Sequence, residues 1–179
     1  MSGHNKWSKI KHKKAATDAV KSKLFSKYSK LITQESKKAG GDTESPGLRA
    51  AIEKAKTANM PADNIDRAVK KGTGEDASNM EEVVYEAYGV GGVAFVITGL
   101  TDNKNRAAQE VKAVLSKNQT ELAGSGAALW NFENMNGEWI PGNTIPVSEE
   151  EKNKINKLTE ELEDLDDIQG VYTTAEQTE

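Results

Sequence analysis

The sequence predicts an α+β protein in two parts. Residues 1–74 read as a three-helix bundle. Residues 80–173 read as an α+β domain of ferredoxin-like layering, with an antiparallel or mixed sheet and two helices. Three observations predict this. In the first part apolar residues recur at three- and four-residue steps. From Val83 onward, short β-branched and aromatic runs alternate with amphipathic helical stretches. Between the parts, Lys70 to Asn79 is polar, contains two glycines and has no apolar periodicity.

Element by element, Ala16, Val20, Leu24, Tyr28, Leu31 and Ile32 share one face of a long helix, with the lysines mainly on the others. Ala39-Gly40-Gly41 stops it, because paired glycines terminate helices. Ser45-Pro46 opens a second helix, with Ser at the N-cap and Pro at the first helical position. Its stripe is Leu48, Ala51, Ile52 and Ala55. A third helix begins at Pro61, buries Ile65, Ala68 and Val69, and ends at Lys70-Lys71 before Gly72.

In the second part, Val83 to Tyr88 and Val93 to Thr98 form a hairpin across Gly89-Val90-Gly91-Gly92. Asn103 to Lys117 is a helix with Ala107, Val111, Val114 and Leu115 inward. Ala127 to Phe132 reads as a strand, and Trp139, Ile140 and Ile145 as a short hairpin around Pro141-Gly142-Asn143. Ser148 with Glu151 is a capping box, and Ile155, Leu158, Leu162 and Leu165 are the stripe of the helix it opens. Ile168 to Tyr172 is a last strand, and Thr173 to Glu179 fray.

Composition narrows the function. With no cysteine there is no disulfide framework, thiolate metal site or cysteine nucleophile. No stretch reaches the roughly 18 consecutive apolar residues of a membrane span, and the basic N-terminus lacks the apolar segment of a signal peptide. The expected location is the cytoplasm, with no membrane partner.

The formal net charge of −4 hides a division. Residues 1–71 contain 17 Lys+Arg and 7 Asp+Glu, and residues 72–179 contain 7 and 21. Lys6 to Lys30 holds nine lysines and one acid. Screening acts over about 8 Å in cells, so acids further away cancel little of that field.

The densest motif is Gly3-His4-Asn5-Lys6-Trp7-Ser8-Lys9-Ile10-Lys11-His12-Lys13-Lys14. Lysines every two or three residues reach successive phosphates, and a Trp among them offers a stacking face. The candidate nucleic-acid-binding residues are Lys6, Trp7, Lys9, Lys11, His12, Lys13 and Lys14, with Lys21 and Lys23 on the helix that follows. The competing reading is a solvated basic tail with Trp7 tucked onto the bundle. A metal site from His4 and His12 lacks a third ligand.

Other motifs favour structural readings. Thr101-Asp102-Asn103-Lys104-Asn105-Arg106 is either a helix cap or, with its cations, a phosphate site. Capping is favoured. Gly89 to Gly92 and Gly124-Ser125-Gly126 lack phosphate-loop spacing and read as turns. Glu160, Glu161, Glu163, Asp164, Asp166 and Asp167 read as a solvated acidic face. Nucleophile, base and metal ligands never converge, so neither an enzyme nor a cofactor nor a small-molecule substrate is expected.

The order of residues in the basic motif carries more than composition. Gly3-His4-x-Lys6-Trp7-x-x-Ile10-Lys11-His12-x-Lys14 followed by Asp18 resembles the N-terminal signature of the YebC/PmpR family, which includes mitochondrial translational activators of cytochrome oxidase synthesis. Leu48 to Ile52, Asn59-Met60-Pro61, Tyr85 to Gly92, Thr101 to Arg106, Leu122 to Glu133 and Leu162 to Tyr172 are similar to further family blocks. The resemblance implies a nucleic-acid-binding regulator of gene expression. In this family that means DNA-binding transcriptional regulators, or ribosome-associated factors that help translation through proline-rich stretches. It also implies a third, small α+β domain after Phe132-Glu133, which here shrinks to the loop-like Asn134 to Val147. The expected partner is DNA or rRNA within the ribosome. With only Arg49, Arg67 and Arg106 present, base readout is less favoured than phosphate contact. The alternative is an adaptor whose acidic domain binds a protein partner.

Overall fold

A computed structural model describes residues 18–75 and 79–176. They fall into two compact units that divide between Glu81 and Glu82. Ala16 and the whole basic motif, Gly3 to Lys14, therefore lie outside the described residues.

The first unit contains α1 (Asp18–Ala39), α2 (Pro46–Thr57) and α3 (Ala62–Thr73). α1 stops where expected. Gly40 and Gly41 take φ of 61° and 84°, and the Gly41 N–H reaches back to the Ser36 carbonyl at 2.9 Å, the six-to-one bond that closes a glycine-terminated helix. At α2 the expected cap is half realised. Ser45 occupies the N-cap position but makes no side-chain cap bond, so Pro46 with its fixed φ sets the start. Asn59 takes the left-handed conformation after α2 (φ 61°). This turns Met60 into the core, where it is 5% exposed, and its N–H bonds the Ala55 carbonyl.

The core of this unit is Ile32, Leu48, Ala51, Ala55, Met60, Ile65 and Ala68. Lys27, expected on a solvent face, is buried beside this stripe, one turn after Leu24. Gly72 departs from expectation as well. It is buried inside α3 rather than following it. A Cβ there would stand 2.5 Å from the Thr33 carbonyl oxygen and 2.6 Å from Ser36 Cβ. The same two α1 residues donate hydroxyls to α3 carbonyls, Thr33 to Ala68 (3.2 Å) and Ser36 to Val69 (2.7 Å). Small residues thus let α1 and α3 approach closely.

The second unit contains β1 (Glu81–Tyr88), β2 (Ala94–Thr101), α4 (Lys104–Lys117), β3 (Glu121–Leu122), β4 (Phe132–Met135), β5 (Glu138–Pro141), α5 (Glu149–Glu163) and β6 (Ile168–Thr173). One sheet has the order β3-β1-β2-β6, with β3 antiparallel to β1 and β6 antiparallel to β2. Two helices lie on four strands, as expected, and the chain enters through the β1–β2 hairpin before the first helix. Side chains of β2 alternate between two cores. Phe95 and Ile97 meet Val111 and Leu115 of α4 and Ile155, Leu158 and Leu162 of α5. Ala94 and Val96 meet Ala128, Phe132 and Trp139 on the opposite face. Burial on both faces explains why β2 is a continuous apolar run. The Ser148–Glu151 capping box forms in full.

Three expectations are corrected. Ala127 to Phe132 is not a strand. Residues up to Asn131 form turns and a 3-10 helix (Leu129–Asn131), and β4 begins at Phe132. The hairpin after it does not turn at Pro141-Gly142-Asn143. β4 and β5 turn at Asn136-Gly137, both with positive φ (56° and 85°), as a two-residue hairpin requires. The segment from Asn134 is therefore hairpin before it is loop. Nor does the chain fray from Thr173. Thr174 and Ala175 are buried, Ala175 bridges Ile145 in parallel, and the Ala94 N–H donates to Thr174 Oγ1 at 2.9 Å. Residues 177–179 lie outside the described region.

The first correction has a single cause. Glu86 of β1 is 4% exposed. Its carboxylate accepts the backbone N–H of Gly126 (2.6 Å), Ala128 (2.7 Å) and Leu129 (2.8 Å). Those amides are committed to a side chain and unavailable to a strand ladder. Burial pushes the Glu86 carboxyl up, but the three amide bonds outweigh it and the net shift is downward.

Two predictions follow from these contacts. Gly72→Ala should lose about 1–3 kcal/mol by overpacking, although alanine gains about 1 kcal/mol of helix propensity over glycine. A thermal midpoint at or above wild type would contradict the close approach. Glu86→Gln at pH 7 should lose about 1–3 kcal/mol, because one carboxamide cannot accept three amides. A carboxyl with a lowered folded-state pKa stabilises above its unfolded value of about 4.3 and loses that contribution as pH falls through the folded value. The gap between wild type and Glu86→Gln should therefore narrow on acidification, as urea unfolding at a series of pH values would measure.

Candidate nucleic-acid interface

Lys6, Trp7, Lys9, Lys11, His12, Lys13 and Lys14 lie outside the described residues, as does His4. Of the predicted set, Lys21 and Lys23 are described. Both sit in the first two turns of α1, Lys21 exposed and Lys23 half-buried. Residues 18–71 hold 12 Lys+Arg and 7 acids, whereas residues 1–17 hold five lysines and no acid. Half the basic excess thus belongs to the segment that leads into α1.

Six of the ten other described cations of this unit sit at helix ends. Lys37 and Lys38 close α1, Lys54 and Lys56 close α2, and Lys70 and Lys71 close α3. Cations in the last turn offset the negative end of each helix dipole. Sequence reading recognised this role for α3 alone. Lys38 pairs with Glu35 (2.9 Å) and Lys56 with Glu53 (3.1 Å), both within a helix and largely in solvent, where such pairs contribute little stability. A half-open groove of about 490 Å³ runs between α2 and α3. Ile52, Met60, Ile65 and Val69 line it, together with Arg49, Lys56 and Lys70 and the acids Glu44, Glu53 and Asp66. That mixture of signs is not a phosphate cradle.

The Thr101–Arg106 segment resolves toward capping. Asn103 is the N-cap of α4, its side chain accepting the Arg106 N–H at 3.1 Å. The Thr101 hydroxyl donates to Asp167 at 2.9 Å and accepts the Asn103 N–H at 3.0 Å. The Arg106 guanidinium donates to Asp167 (2.8 Å) and Asp102 (2.7 Å). Hydrogen bonding to Asp167 and then to Asp102 holds Arg106 more firmly protonated than an ordinary arginine. Its charge is engaged by carboxylates rather than presented to phosphate.

Gly91, Gly92 and Gly126 all have positive φ, in keeping with the turn reading of both glycine segments. The acidic cluster divides. Glu160, Asp164 and Asp166 are exposed, and Glu161 pairs with Lys117 at 3.0 Å. A hydrogen bond from Asn118 and that lysine lower the Glu161 pKa. Glu163 and Asp167, expected outside, are buried, and Asp167 is the acceptor for Thr101 and Arg106. Among the described residues no helix is long and apolar enough to cross a membrane.

Comparisons with known proteins cover both units. Residues 5–75 match the model for the TACO1/YebC protein N-terminal domain. Residues 80–137 and 131–175 match that for the TACO1/YebC second and third domain, as two stretches that meet at the β4–β5 hairpin. A protein of Petrotoga mobilis named "Probable transcriptional regulatory protein" is 56% identical over 135 residues, 74% of this chain and 54% of that one. One of the same name from Thermosipho africanus is 51% identical over 152 residues, 84% of this chain and 60% of its own. The chain thus spans little more than half the length of these relatives.

A third, from Natranaerobius thermophilus, is 39% identical over 237 aligned positions that take in 96% of this chain and 95% of that one. Since this chain has 179 residues, that relative carries residues inside the aligned span with no counterpart here. The crystal structure of a conserved hypothetical protein from Aquifex aeolicus superposes with a TM-score of 0.83 at 34% identity, covering 98% of each chain.

The pairing of Arg106 makes a prediction. Arg106→Gln should lower the thermal midpoint by stripping a partner from buried Asp167, and should leave affinity for nucleic acid unchanged. A selective loss of nucleic-acid affinity would return this loop to the list of phosphate sites.

Proposed function

This chain belongs to the TACO1/YebC family, and from that premise we propose that it is a nucleic-acid-binding regulator of gene expression that docks by charge. The observation that carries the reading is the division of charge at the family's own domain boundary. The part matching the N-terminal domain holds the basic excess and the part matching the second and third domains the acidic one. Lys6, Lys9, Lys11, Lys13 and Lys14 neutralise successive phosphates, Lys21 and Lys23 extend the track onto α1, and Trp7 stacks on an unpaired base or locks the segment in place. Like-charge repulsion keeps the polyanion off the acidic unit, which serves as a scaffold or a partner-binding surface. The protein acts in the cytoplasm and performs no chemistry of its own.

Lysine-dominated contact with few arginines supports recognition of backbone and shape over base sequence. That favours ribosomal RNA over a defined operator, while the names of the relatives favour transcription. The two-stretch match supports a chain in which the family's third domain is reduced to the hairpin and the loop after it.

Replacing Lys9, Lys11 and Lys13 together by Glu should abolish co-sedimentation with ribosomes and the shift of a DNA duplex, with the circular dichroism spectrum unchanged. Unaltered binding by a folded triple variant would place the site elsewhere. Loss of one activity with retention of the other would identify the physiological target.

A further inference from the structure

Trp130 is the most exposed large apolar side chain among the described residues, at 75%, yet it is not loose. Its indole N–H donates to the Ala127 carbonyl at 2.9 Å. Tyr88, 39% exposed, donates its hydroxyl to the same carbonyl at 2.7 Å, and the Asn131 amide donates to the Tyr88 oxygen at 3.2 Å. Two aromatic rings from separate segments thus meet on one oxygen. That oxygen belongs to the turn that buried Glu86 holds through three amides. The pair is held from beneath and exposed above, so these bonds restrict both rings before any partner arrives. Rigid, exposed Trp and Tyr of this kind are the side chains that dominate protein interfaces.

Charge selects the occupant. Glu121 stands opposite Tyr88 in the β1–β3 register, which places both side chains on one face of the sheet. Exposed Glu133 follows Trp130 by three residues. Residues 82–176 carry 17 acids and 7 Lys+Arg. A phosphate chain would meet like charge here. A guanidinium would find an aromatic face to stack on and carboxylates to pair with, a combination arginine meets better than lysine. We propose that Tyr88 and Trp130, with Glu121 opposite Tyr88 and Glu133 three residues on from Trp130, form a docking site for an arginine-bearing segment of a partner protein. The site uses no residue of the basic N-terminal track, so it stands or falls separately from the nucleic-acid reading.

The test titrates the full-length chain into a fluorescein-labelled peptide of alternating arginine and glycine, beside a matched lysine peptide, followed by anisotropy. Tighter binding of the arginine peptide is expected. Trp130→Ala, which leaves net charge unaltered, should weaken it by about fivefold or more. Trp130→Phe, which keeps a ring, should retain most of it. The Glu121→Gln and Glu133→Gln pair should weaken it as well, and keeps the test open should the alanine variant not fold. Equal binding by folded Trp130→Ala overturns the proposal, because attraction to the acidic unit alone then accounts for the affinity. Two other results overturn it: a drop in single-stranded RNA affinity confined to Trp130→Ala, which makes the pair a base-stacking site, or a wild-type dimer in sedimentation that Trp130→Ala dissolves, which makes the occupant a second copy.

Discussion

A buried carboxylate organises the second unit. Glu86 lies on β1 with almost no solvent exposure, and an ionised group there is tolerated only because three backbone amides face it. Those amides belong to residues 126–129, some forty positions away in sequence. Binding them bends the chain into a turn, drops Ala128 into the core beside Ala94 and Val96, and delivers Phe132 to the start of the hairpin. The Glu86 backbone carbonyl also receives the Ala123 N–H, so one residue anchors the chain on both sides of the turn. The exposed aromatic pair inherits its rigidity from the same contact.

The helical unit is built on a different constraint. It has few large apolar side chains, and it gains proximity through small ones. Gly72 has no room for a methyl group, and the Thr33 and Ser36 hydroxyls bind α3 carbonyls directly. A bundle assembled this way can carry a dense load of lysine, because its apolar stripes are narrow and leave the other helix faces to charge. Lysines in the last turn of each helix are part of that economy, since they stabilise the helix they end. Part of the basicity here is therefore helix-end electrostatics, which needs no ligand. The lysines ahead of α1 are the part the proposed function assigns to nucleic acid.

What the sequence conveyed was what local chemistry decides. The Gly40-Gly41 stop, the Ser148–Glu151 box and the helix cap within Thr101 to Asn103 each depend on residues within a few positions of one another, and each forms as read. Ala127 to Phe132 reads as a strand because its apolar run is local, whereas the carboxylate that overrides it is distant. The hairpin reads around Pro141-Gly142-Asn143, whereas the turn forms at Asn136-Gly137, where both residues take positive φ. Gly72 looks like a stop because its true neighbour is on another helix. Glu163 and Asp167 look solvated because helix phase near the end of α5 fails to show that the chain folds back over them. Of the candidate site, the lysine run was legible from composition. The aromatic pair was not, because Tyr88 and Trp130 are joined only through a carbonyl whose position Glu86 sets.

The central claim is that association with nucleic acid is electrostatic and resides in the basic part of the chain. The most direct measurement is the affinity of the intact protein for a DNA duplex and for a single-stranded RNA of matched length as salt is raised. The account predicts that the logarithm of the affinity falls linearly with the logarithm of salt concentration, with a slope of about −0.9 per phosphate neutralised on the duplex and about −0.7 on the single strand. Absence of binding to either at low salt, or an affinity that salt leaves unchanged, would contradict it.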